Sequence, residues 1–283
     1  MKKIKRLFLF AGYDPNGVIN SALVYYINTL QLYGDVVLCM DNKFNKHEIK
    51  KLKMHPLSVF ITRHKEYDFG SYKRAFQYAK SNNILKDYDY VYLVNDSVFG
   101  PMFNIKKILN KIETAPFDAC GMVVSSHKTH EFMESWFVRL NKKIFMSQWF
   151  DEFISSVKKE PDKNVITIKY EHGLTNLIKN NGCSWGGLFT VRGRKTYNNP
   201  KYLFKHGCPF VKKTSFTRHN GALGKQIKYI LKHSDESARN VVIKTVNHLY
   251  GKEYLNRFLT SNPIKILWRN IKYGITKLKN NKS

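Results

Sequence analysis

The stretch Tyr88–Pro101, with the sequence YDYVYLVNDSVFGP, predicts the fold more directly than any other part of the chain. Residues Tyr90–Val94 form a continuous apolar and aromatic run, which is typical of a strand buried on both faces of a sheet. The run ends in Asn95, Asp96 and Ser97, and a Gly-Pro turn follows. Because ligands of open α/β sheets bind beyond the carboxyl ends of strands, this stretch predicts a buried strand with a binding site at its end.

Similar apolar runs lie on both sides of this stretch, at Leu7–Phe10, Val36–Met40, Ser58–Thr62 and Ala119–Val124. Helical patterns separate several of them, most clearly at Val18–Tyr33 and Gly70–Lys80. Buried strands that alternate with amphipathic helices predict an α/β fold, with a Rossmann-type, mostly parallel sheet flanked by helices.

The second half of the chain is expected to contain more helix. The aromatic segment Met133–Val157 is predicted to be helical, and Val165–Ile168 to be a short strand. A helix is predicted from Glu171 to Lys179, with Gly182 just beyond its end. Further helices are expected at Lys225–Lys232 and Asp235–Leu249. Four large aromatic residues are expected to belong mostly to the core rather than to stack on sugars: Trp136, Phe137, Trp149 and Phe150.

The composition is strongly basic, with 48 Lys and Arg against 21 Asp and Glu and a formal net charge of +27. Such a balance favours anionic partners, which include nucleic acids, anionic membranes and phosphate-bearing substrates. Part of the excess can equally reflect an AT-rich genome. A nucleic-acid-binding protein is disfavoured, because the basic residues are spread along the chain and the motifs of such proteins are missing.

The cysteines and the apolar segments indicate the cellular compartment in which the protein is expected. The four cysteines lie far apart and form no Cys-x-x-Cys pair, and the N-terminal apolar run is too short for a secretory signal. No run approaches the roughly 18 apolar residues of a membrane span. The sequence therefore predicts a cytoplasmic protein with reduced thiols.

The last segment, Asn262–Ser283, contains basic residues and no acidic ones. Its apolar residues recur at helical spacing: Ile264, Leu267, Trp268, Ile271, Ile275 and Leu278. This pattern is typical of a helix that lies on an anionic membrane surface, although a terminal helix packed on its own domain would show it too. We therefore predict a main domain over residues 1–258 and a basic amphipathic extension over 259–283.

Two motifs carry candidate chemistry. Asp96, at the end of its strand, can hold a divalent cation that bridges the phosphates of a nucleotide, or it can simply cap a turn. In YDFGSYKRA at residues 67–75, Asp68 can cap a helix while Gly70 lets the backbone approach a ligand. Lys73 and Arg74 would suit a diphosphate, and an ordinary capped helix with solvated basic residues is the alternative.

Together, YDFGSYKRA at 67–75 and YDYVYLVNDSVFGP at 88–101 resemble the rhamnan synthesis protein F family. These bacterial proteins act in polysaccharide assembly and look like glycosyltransferases of the GT-A fold. The resemblance extends from about Lys5 to Gly251. It includes the segments around Gly121 and His127, KYEHGLT at 169–175 with Gly182, and KHGCPFVKK at 205–213.

The resemblance implies an enzyme with a nucleotide-sugar donor. It assigns contacts with that donor to Gly12, Asp14, Asp68, Gly70, Lys73, Arg74, Asn95, Ser97 and His127. It also places Asn95-Asp96-Ser97 where such enzymes have a DxD metal motif, so that Asp96 would hold Mg²⁺ or Mn²⁺. Because Ser97 replaces the second carboxylate, basic residues could instead offset the diphosphate charge.

The resemblance further implies that Glu171 is the catalytic base, at the start of the helix that follows the aromatic segment. The reaction needs one carboxylate that takes the proton of the acceptor hydroxyl. A glutamate that only stabilises the first turn of its helix is the alternative, with Asp151 and Glu152 as other acids. His127 and His130 have a possible zinc spacing, but no third ligand is clustered with them, so a pocket-lining or surface role is favoured.

The combined prediction is an inverting glycosyltransferase with dTDP-L-rhamnose as the favoured donor. Its acceptor would be a glycan on a polyprenyl diphosphate at the inner face of the plasma membrane. The alternative is a catalytically inactive GT-A-like scaffold in a polysaccharide assembly complex, which the single carboxylate at residues 95–97 leaves open.

Overall fold

The structure is a computed structural model that describes residues 4–43, 45–52, 57–127, 130–217, 221–260, 262–268 and 271. The strands are β1 Arg6–Gly12, β2 Asp35–Met40, β3 Ser58–Ile61, β4 Tyr90–Asn95, β5 Val98–Phe99, β6 Ala119–Ser126, β7 Glu131–Met133, β8 Phe137–Asn141, β9 Trp185–Arg192 and β10 Val211–Lys212. The helices are α1 Ser21–Gln31, α2 Lys46–Ile49, α3 Tyr67–Ser81, α4 Lys106–Thr114, α5 Lys142–Phe145, α6 Gln148–Ser155, α7 Lys163–Ile166, α8 Gly173–Asn180, α9 Lys195–Asn198, α10 Pro200–Lys205, α11 Gly221–Lys232, α12 Glu236–Tyr250 and α13 Lys252–Phe258. Short 3-10 turns lie at Leu85–Asp87 and Lys213–Phe216, and a π-helical turn at Thr167–His172.

The chain divides into two compact units. The first contains Met1–Asp96 and Ile105–Gly193, and the second contains Ser97–Asn104 and Arg194–Ser283. The predicted boundary between residues 258 and 259 is a different one, because it separates the C-terminal extension from the main domain. It stays a prediction.

The first unit is built on an eight-stranded sheet with the order β3-β2-β1-β4-β8-β6-β7, and β9 pairs with β6. The pairs β1–β2, β2–β3, β1–β4 and β6–β9 are parallel, whereas β8 is antiparallel to both β4 and β6. Six strands therefore run in one direction, and their carboxyl ends share one edge of the sheet. The predicted α/β class with a mostly parallel sheet flanked by helices is confirmed.

The central strands are buried on both faces, as their continuous apolar runs predict. Leu7 and Leu9 of β1 belong to a core cluster with Phe76 of α3. Phe10, on the alternate face, packs edge-to-face against Tyr26 of α1, with ring centroids 5.2 Å apart. The four cysteines are buried with free thiols. The helices thus cover the sheet and leave its carboxyl edge to the loops that follow each strand.

The second unit contains a two-stranded antiparallel ladder. Val98 pairs with Lys212 and Phe99 with Val211, so the end of the NDSVFGP motif lies against the KHGCPFVKK motif. Gly100 has a φ of 134°, and a Cβ there would lie 2.6 Å from the carbonyl oxygen of Pro209. Glycine is therefore required where these two motifs meet.

Several predicted elements in the second half of the chain are wrong. Val165–Ile168 is helical rather than a strand, because the Asp162 side chain accepts hydrogen bonds from the N–H groups of Asn164 and Val165 and starts a helix. Ile166 and Tyr170, four residues apart, are both buried on one side of it. The segment predicted as helix from Met133 begins instead with β7 and β8, and β9 was not predicted.

The C-terminal extension is described only in part. Residues 263–268 are helical, and Ile264, Leu267 and Trp268 are 65%, 60% and 67% exposed. Most of the predicted basic residues of this segment, including Lys272 and Lys277, lie outside the described residues. Within the described chain, no helix is long and apolar enough to cross a membrane.

Candidate active site

The loops after β1 and β2 are held together by buried polar side chains. The Asp14 carboxylate accepts hydrogen bonds from the N–H groups of Asn16 and Val18, at 2.9 and 3.1 Å. The Asp14 N–H in turn donates to the Oδ1 of Asn42, at 3.0 Å. Gly17, with a φ of 73°, closes the turn. The loop that sequence analysis assigned to the nucleotide is thus ordered by its own side chains.

The loop after β3 is attached to the same place through Asp41. Its Oδ1 accepts hydrogen bonds from the N–H groups of His64 and Lys65, at 2.8 and 3.0 Å, and lies 3.1 Å from a guanidinium nitrogen of Arg63. The guanidinium of Arg63 also lies 5.2 Å from the ring centroid of Tyr13. Asp41 therefore links the ends of β2 and β3 and holds the guanidinium of Arg63 in position.

A cavity of about 270 Å³ opens between these loops, which we call the strand-end cavity. Its walls include Tyr13, Asp14, Asn16, Asp41, Asn42 and Arg63. It combines one aromatic ring, one guanidinium and several amide and carboxylate groups, which can stack on an aromatic ligand and hydrogen-bond to hydroxyl groups. Gly12 ends β1 beside it, and a Cβ there would contact Met40.

The start of α3 differs from the prediction that Asp68 caps this helix. The helix begins at Tyr67, and Asp68 lies in its first turn. A Cβ on Gly70 would lie 2.3 Å from the Cβ of Glu66 and 2.8 Å from the Nδ1 of His64. Gly70 is therefore needed for close packing within the protein. Arg74 donates to the Glu66 carboxylate and to the Gly70 carbonyl, at 2.6 and 2.8 Å.

Lys73 also has a partner inside the protein, since its ammonium group donates to the Val157 carbonyl at 2.7 Å. The predicted role of Lys73 and Arg74 at a diphosphate stays a prediction. Both side chains are used to hold α3 in place.

His64 is a buried, neutral link between β3 and α3. Its Nδ1 accepts a hydrogen bond from the Glu66 N–H at 3.1 Å, so its Nε2 carries the proton that faces the Ser71 hydroxyl at 3.0 Å. Burial, the largest cause, lowers the pKa of His64 to about 4, against the opposing charge of Asp41. The His64 Nδ1 lies 3.9 Å from an Asp41 carboxylate oxygen, but because the ring is neutral the two do not form an ion pair at neutral pH.

Five side chains form a second polar group, which we call the carboxylate cluster: Asp68, Tyr72, Asn95, Ser135 and Glu171. Asn95 donates to Asp68 at 2.8 Å, and the Tyr72 hydroxyl donates to the Ser135 carbonyl at 2.9 Å. The Oε1 of Glu171 accepts from both the N–H and the hydroxyl of Ser135, each at 2.8 Å. The cluster joins α3, the end of β4, the segment before β8 and the π-helical turn.

The electrostatics of the cluster keep Tyr72 protonated. Burial first, and then the charge of Asp68, raise its pKa well above the ordinary value. Tyr72 is therefore a hydrogen-bond donor at all physiological pH values, and it holds the backbone of Ser135 in place.

Glu171 lies inside a continuous helical segment, so the expectation that it opens a helix is wrong. The π-helical turn Thr167–His172 precedes α8, and α7 precedes that turn. Turns of this kind are rare and frequently found at functional sites. The predicted end of this helix is confirmed, since α8 ends at Asn180 and Gly182 follows with a φ of 65°.

Asp96 directly follows β4 and is 8% exposed, and its N–H donates to the Ala11 carbonyl. Ser97 starts the second unit, where its hydroxyl lies 3.1 Å from the ammonium nitrogen of Lys212. Among the described residues, no group of three His, Cys, Asp or Glu could hold a metal ion by itself. A single carboxylate with substrate phosphates is a common Mg²⁺ arrangement, and the metal role of Asp96 stays a prediction.

The remaining predicted residues lie elsewhere in the first unit. His127 stacks on His130 at the turn between β6 and β7. Asp151 pairs with Lys80 at 2.7 Å, and Glu152 accepts a hydrogen bond from Gln148. Trp136, Phe137 and Phe150 are at most 2% exposed and Trp149 packs on the core, so all four aromatics are core residues as predicted.

Sequence analysis missed Asp41, Asn42, Arg63 and Ser135. The first three directly follow strands that were predicted correctly, so the rule that identified Asp96 would have found them. Ser135 had no local signal, because it is defined by its contact with Glu171, 36 residues away.

Comparisons with known proteins place the chain in a family. Two solved structures are similar to it at low identity. One is a candidate nucleotide-diphospho-sugar transferase from Desulfovibrio desulfuricans G20, with 14% identity, a TM-score of 0.41, and coverage of 90% of this chain and 99% of that one. The other is a glycosyltransferase involved in glycosylation of the major capsid of PBCV-1, with 10% identity, a TM-score of 0.38, and coverage of 80% and 98%. Both TM-scores are low, so the fold assignment rests on the sheet topology.

No curated protein gives a significant match. The model of the family described as rhamnan synthesis protein F matches residues 36–272, which include β3–β10, all but the first residue of β2, and the whole carboxylate cluster. Tyr13, Asp14 and Asn16 of the strand-end cavity precede the matched residues. This match covers most of the chain and agrees with the resemblance of its motifs. The chain belongs to the rhamnan synthesis protein F family.

Proposed function

We propose that this chain is a glycosyltransferase that takes a sugar from a nucleotide-sugar donor and adds it to a growing polysaccharide. The observation that carries the proposal is the anchored carboxylate of Glu171, which Ser135 holds through two hydrogen bonds of 2.8 Å. Family membership and the strand-end cavity support it.

The strand-end cavity would bind the nucleoside part of the donor. Tyr13 is 46% exposed, so its ring can stack on a base. Asp14, Asp41 and Asn42 are all nearly buried and are fixed by hydrogen bonds, which suits the recognition of ribose hydroxyls and base edges.

The reaction would transfer the sugar in one step with inversion. An oxygen lone pair of the acceptor hydroxyl forms the new bond to the anomeric carbon while the bond from that carbon to the diphosphate oxygen breaks. The electron pair of the broken bond leaves with the nucleoside diphosphate, and the hydroxyl proton passes to Glu171. Asp96 would sit at the diphosphate, where Mg²⁺ or Mn²⁺ would neutralise the developing charge.

The donor sugar and the acceptor follow from the family resemblance rather than from a contact in the structure. We favour dTDP-L-rhamnose as the donor and a polyprenyl-diphosphate-linked glycan as the acceptor. Such an acceptor lies in a membrane, and the exposed Ile264, Leu267 and Trp268 suit a segment that rests on the cytoplasmic membrane surface.

The first experiment is turnover of a nucleotide-sugar panel by the purified protein, with and without Mn²⁺, Mg²⁺ or EDTA. Asp96→Ala and Glu171→Gln should each lower donor-specific transfer about 100-fold or more. Glu152→Gln is the matched control and should stay within twofold of the wild type. No turnover with any donor, even when acceptor-bearing membranes are present, would instead favour the inactive scaffold.

Membrane association needs a separate test, by sedimentation with vesicles that contain anionic lipid. Replacement of Ile264, Leu267 and Trp268 by Ser should release the protein to the supernatant. If the triple variant still sediments, these three apolar residues are not the anchor.

A further inference from the structure

Four aromatic side chains form a continuous series of ring contacts that includes His172, the residue after Glu171. The imidazole rings of His127 and His130 lie nearly parallel, with centroids 4.9 Å apart and planes at 8°. His130 is also 4.9 Å from His172, and His172 is 4.0 Å from the ring of Phe132. We call these four residues the histidine platform.

The histidine platform is fixed relative to Glu171. His172 is the next residue in the chain, within the same π-helical turn. Phe132, in the other segment of the platform, lies three residues before Ser135, which donates two hydrogen bonds to the Glu171 carboxylate. The Met133 N–H also donates to the Thr175 hydroxyl at 3.1 Å. Hydrogen bonds therefore tie residues 132–135 to residues 171–175, and the platform keeps a set position relative to the carboxylate.

A core-packing role does not account for the platform. His127 and His130 are exposed and His172 is only half-buried, although Phe132 beneath them is 8% exposed. Exposed rings contribute little to the free energy of unfolding, because they remove little apolar surface from water.

A metal site does not account for it either. The nitrogen lone pairs of imidazole lie in the plane of the ring, so the nearly parallel rings of His127 and His130 cannot both direct them at one ion. Within the described chain, no such group of three ligands is present.

The chemistry of the platform matches a sugar ring. A pyranose has faces rich in C–H groups, which pack on aromatic rings, and hydroxyls at its edge, which can hydrogen-bond to imidazole nitrogens. Burial first, and then the neighbouring His130 and His127, lower the pKa of His172. This ring is therefore uncharged at neutral pH, as suits an uncharged ligand.

We propose that the histidine platform binds the terminal sugar of the acceptor, a neutral pyranose, and presents its hydroxyl to Glu171. This inference rests on the proposed function, because it assigns the acceptor side of the same reaction. It makes the platform the acceptor subsite and leaves the strand-end cavity to the donor nucleotide.

The kinetic test separates the KM of the acceptor from the KM of the donor, with methyl α-L-rhamnopyranoside and methyl β-D-glucopyranoside as acceptors. His172→Ala should raise the acceptor KM about tenfold while the donor KM stays within twofold. His172→Phe keeps an aromatic ring and should recover most of the loss. His206→Ala is the matched control, since this exposed histidine stacks on Tyr202 in the second unit, and it should change neither KM.

An unchanged acceptor KM in His172→Ala, or equal rises in both KM values, would overturn the proposal. Saturation-transfer NMR with the same two glycosides provides a readout without turnover. The wild type should pass saturation to the sugar C–H protons, and the His130→Ala, His172→Ala double variant should lose most of that signal.

The NMR experiment also separates the two proposals. If the wild type passes saturation to neither glycoside, the platform proposal fails even when the enzyme is active. If the platform-dependent signal is present but no donor is turned over, the platform stands and the proposed transferase function fails.

Discussion

The strand-end cavity and the carboxylate cluster are built in different ways. The cavity is formed by loops that directly follow β1, β2 and β3, and its carboxylates, Asp14 and Asp41, mainly bind nearby backbone N–H groups. The cluster instead draws its side chains from α3, β4, the segment before β8 and a π-helical turn, and it is joined by contacts between them. We therefore expect substitutions in the strand-end cavity to lower the stability of the protein. Substitutions in the carboxylate cluster should instead lower activity before they lower stability.

Asp41→Ala should have the largest effect on stability. The substitution leaves the N–H groups of His64 and Lys65 without their acceptor. It also removes the ion pair with Arg63, whose guanidinium keeps its hydrogen bond to the backbone carbonyl of residue 41. We expect the free energy of unfolding to fall by about 2–3 kcal/mol, which urea unfolding at pH 7.5 would measure. Asp151→Ala is the control, because its partly exposed pair with Lys80 should contribute less than about 1 kcal/mol. Equal losses in both variants would mean that the loops do not depend on Asp41.

The neutral state of His64 predicts loss of stability in acid. Its pKa is about 4 in the folded protein and about 6.5 in an unfolded chain, so the unfolded state binds the extra proton between these values. This contribution is complete above pH 6.5 and declines as the pH falls towards 4.

Urea unfolding at pH 7.5 and pH 5 measures the effect of His64. The wild type should lose about 2 kcal/mol more than His64→Gln between the two pH values. If both proteins lose the same amount, His64 is not the group that titrates.

Ser135→Ala tests the carboxylate cluster. It removes one of the two hydrogen bonds to Glu171 and keeps the backbone N–H. We expect kcat to fall about tenfold, with the donor KM within twofold, because the carboxylate is less well positioned. Ser135→Thr retains the hydroxyl and should recover part of the rate. A rise in donor KM without a change in kcat would assign Ser135 to donor binding instead.

Lys73→Met should have the smallest effect. The ammonium group of Lys73 donates to the Val157 carbonyl, and the side chain is partly exposed, so both the donor KM and the stability should change little. Steady-state kinetics with the preferred nucleotide sugar would measure it. A tenfold rise in the donor KM would show that Lys73 leaves Val157 to bind the diphosphate, as its position in the YDFGSYKRA motif suggests.

The contrast between the strand-end cavity and the carboxylate cluster also explains which features the sequence could predict. Strands β1–β4 and β6 were predicted within two residues of their ends, because continuous apolar runs identify buried parallel strands. The loops that follow them could be assigned to a binding edge for the same reason. The π-helical turn could not be predicted, because the β-branched run Val165–Ile168, where α7 passes into this turn, favours a strand on its own. The Asp162 cap and the burial of Tyr170 explain why the segment is helical instead. Ser135 and the histidine platform depend on contacts between distant segments, which no periodic pattern indicates.

The buried cysteines make this protein convenient for site-specific labelling. All four thiols are enclosed, and burial raises the pKa of Cys39 and of Cys120 to about 11, so these two remain in the unreactive thiol form at neutral pH. A cysteine introduced at Trp268 should therefore react with a maleimide fluorophore far faster than the native thiols. An environment-sensitive dye at that position would then report by its emission colour whether the C-terminal segment meets lipid, with the wild-type protein serving as the unlabelled reference.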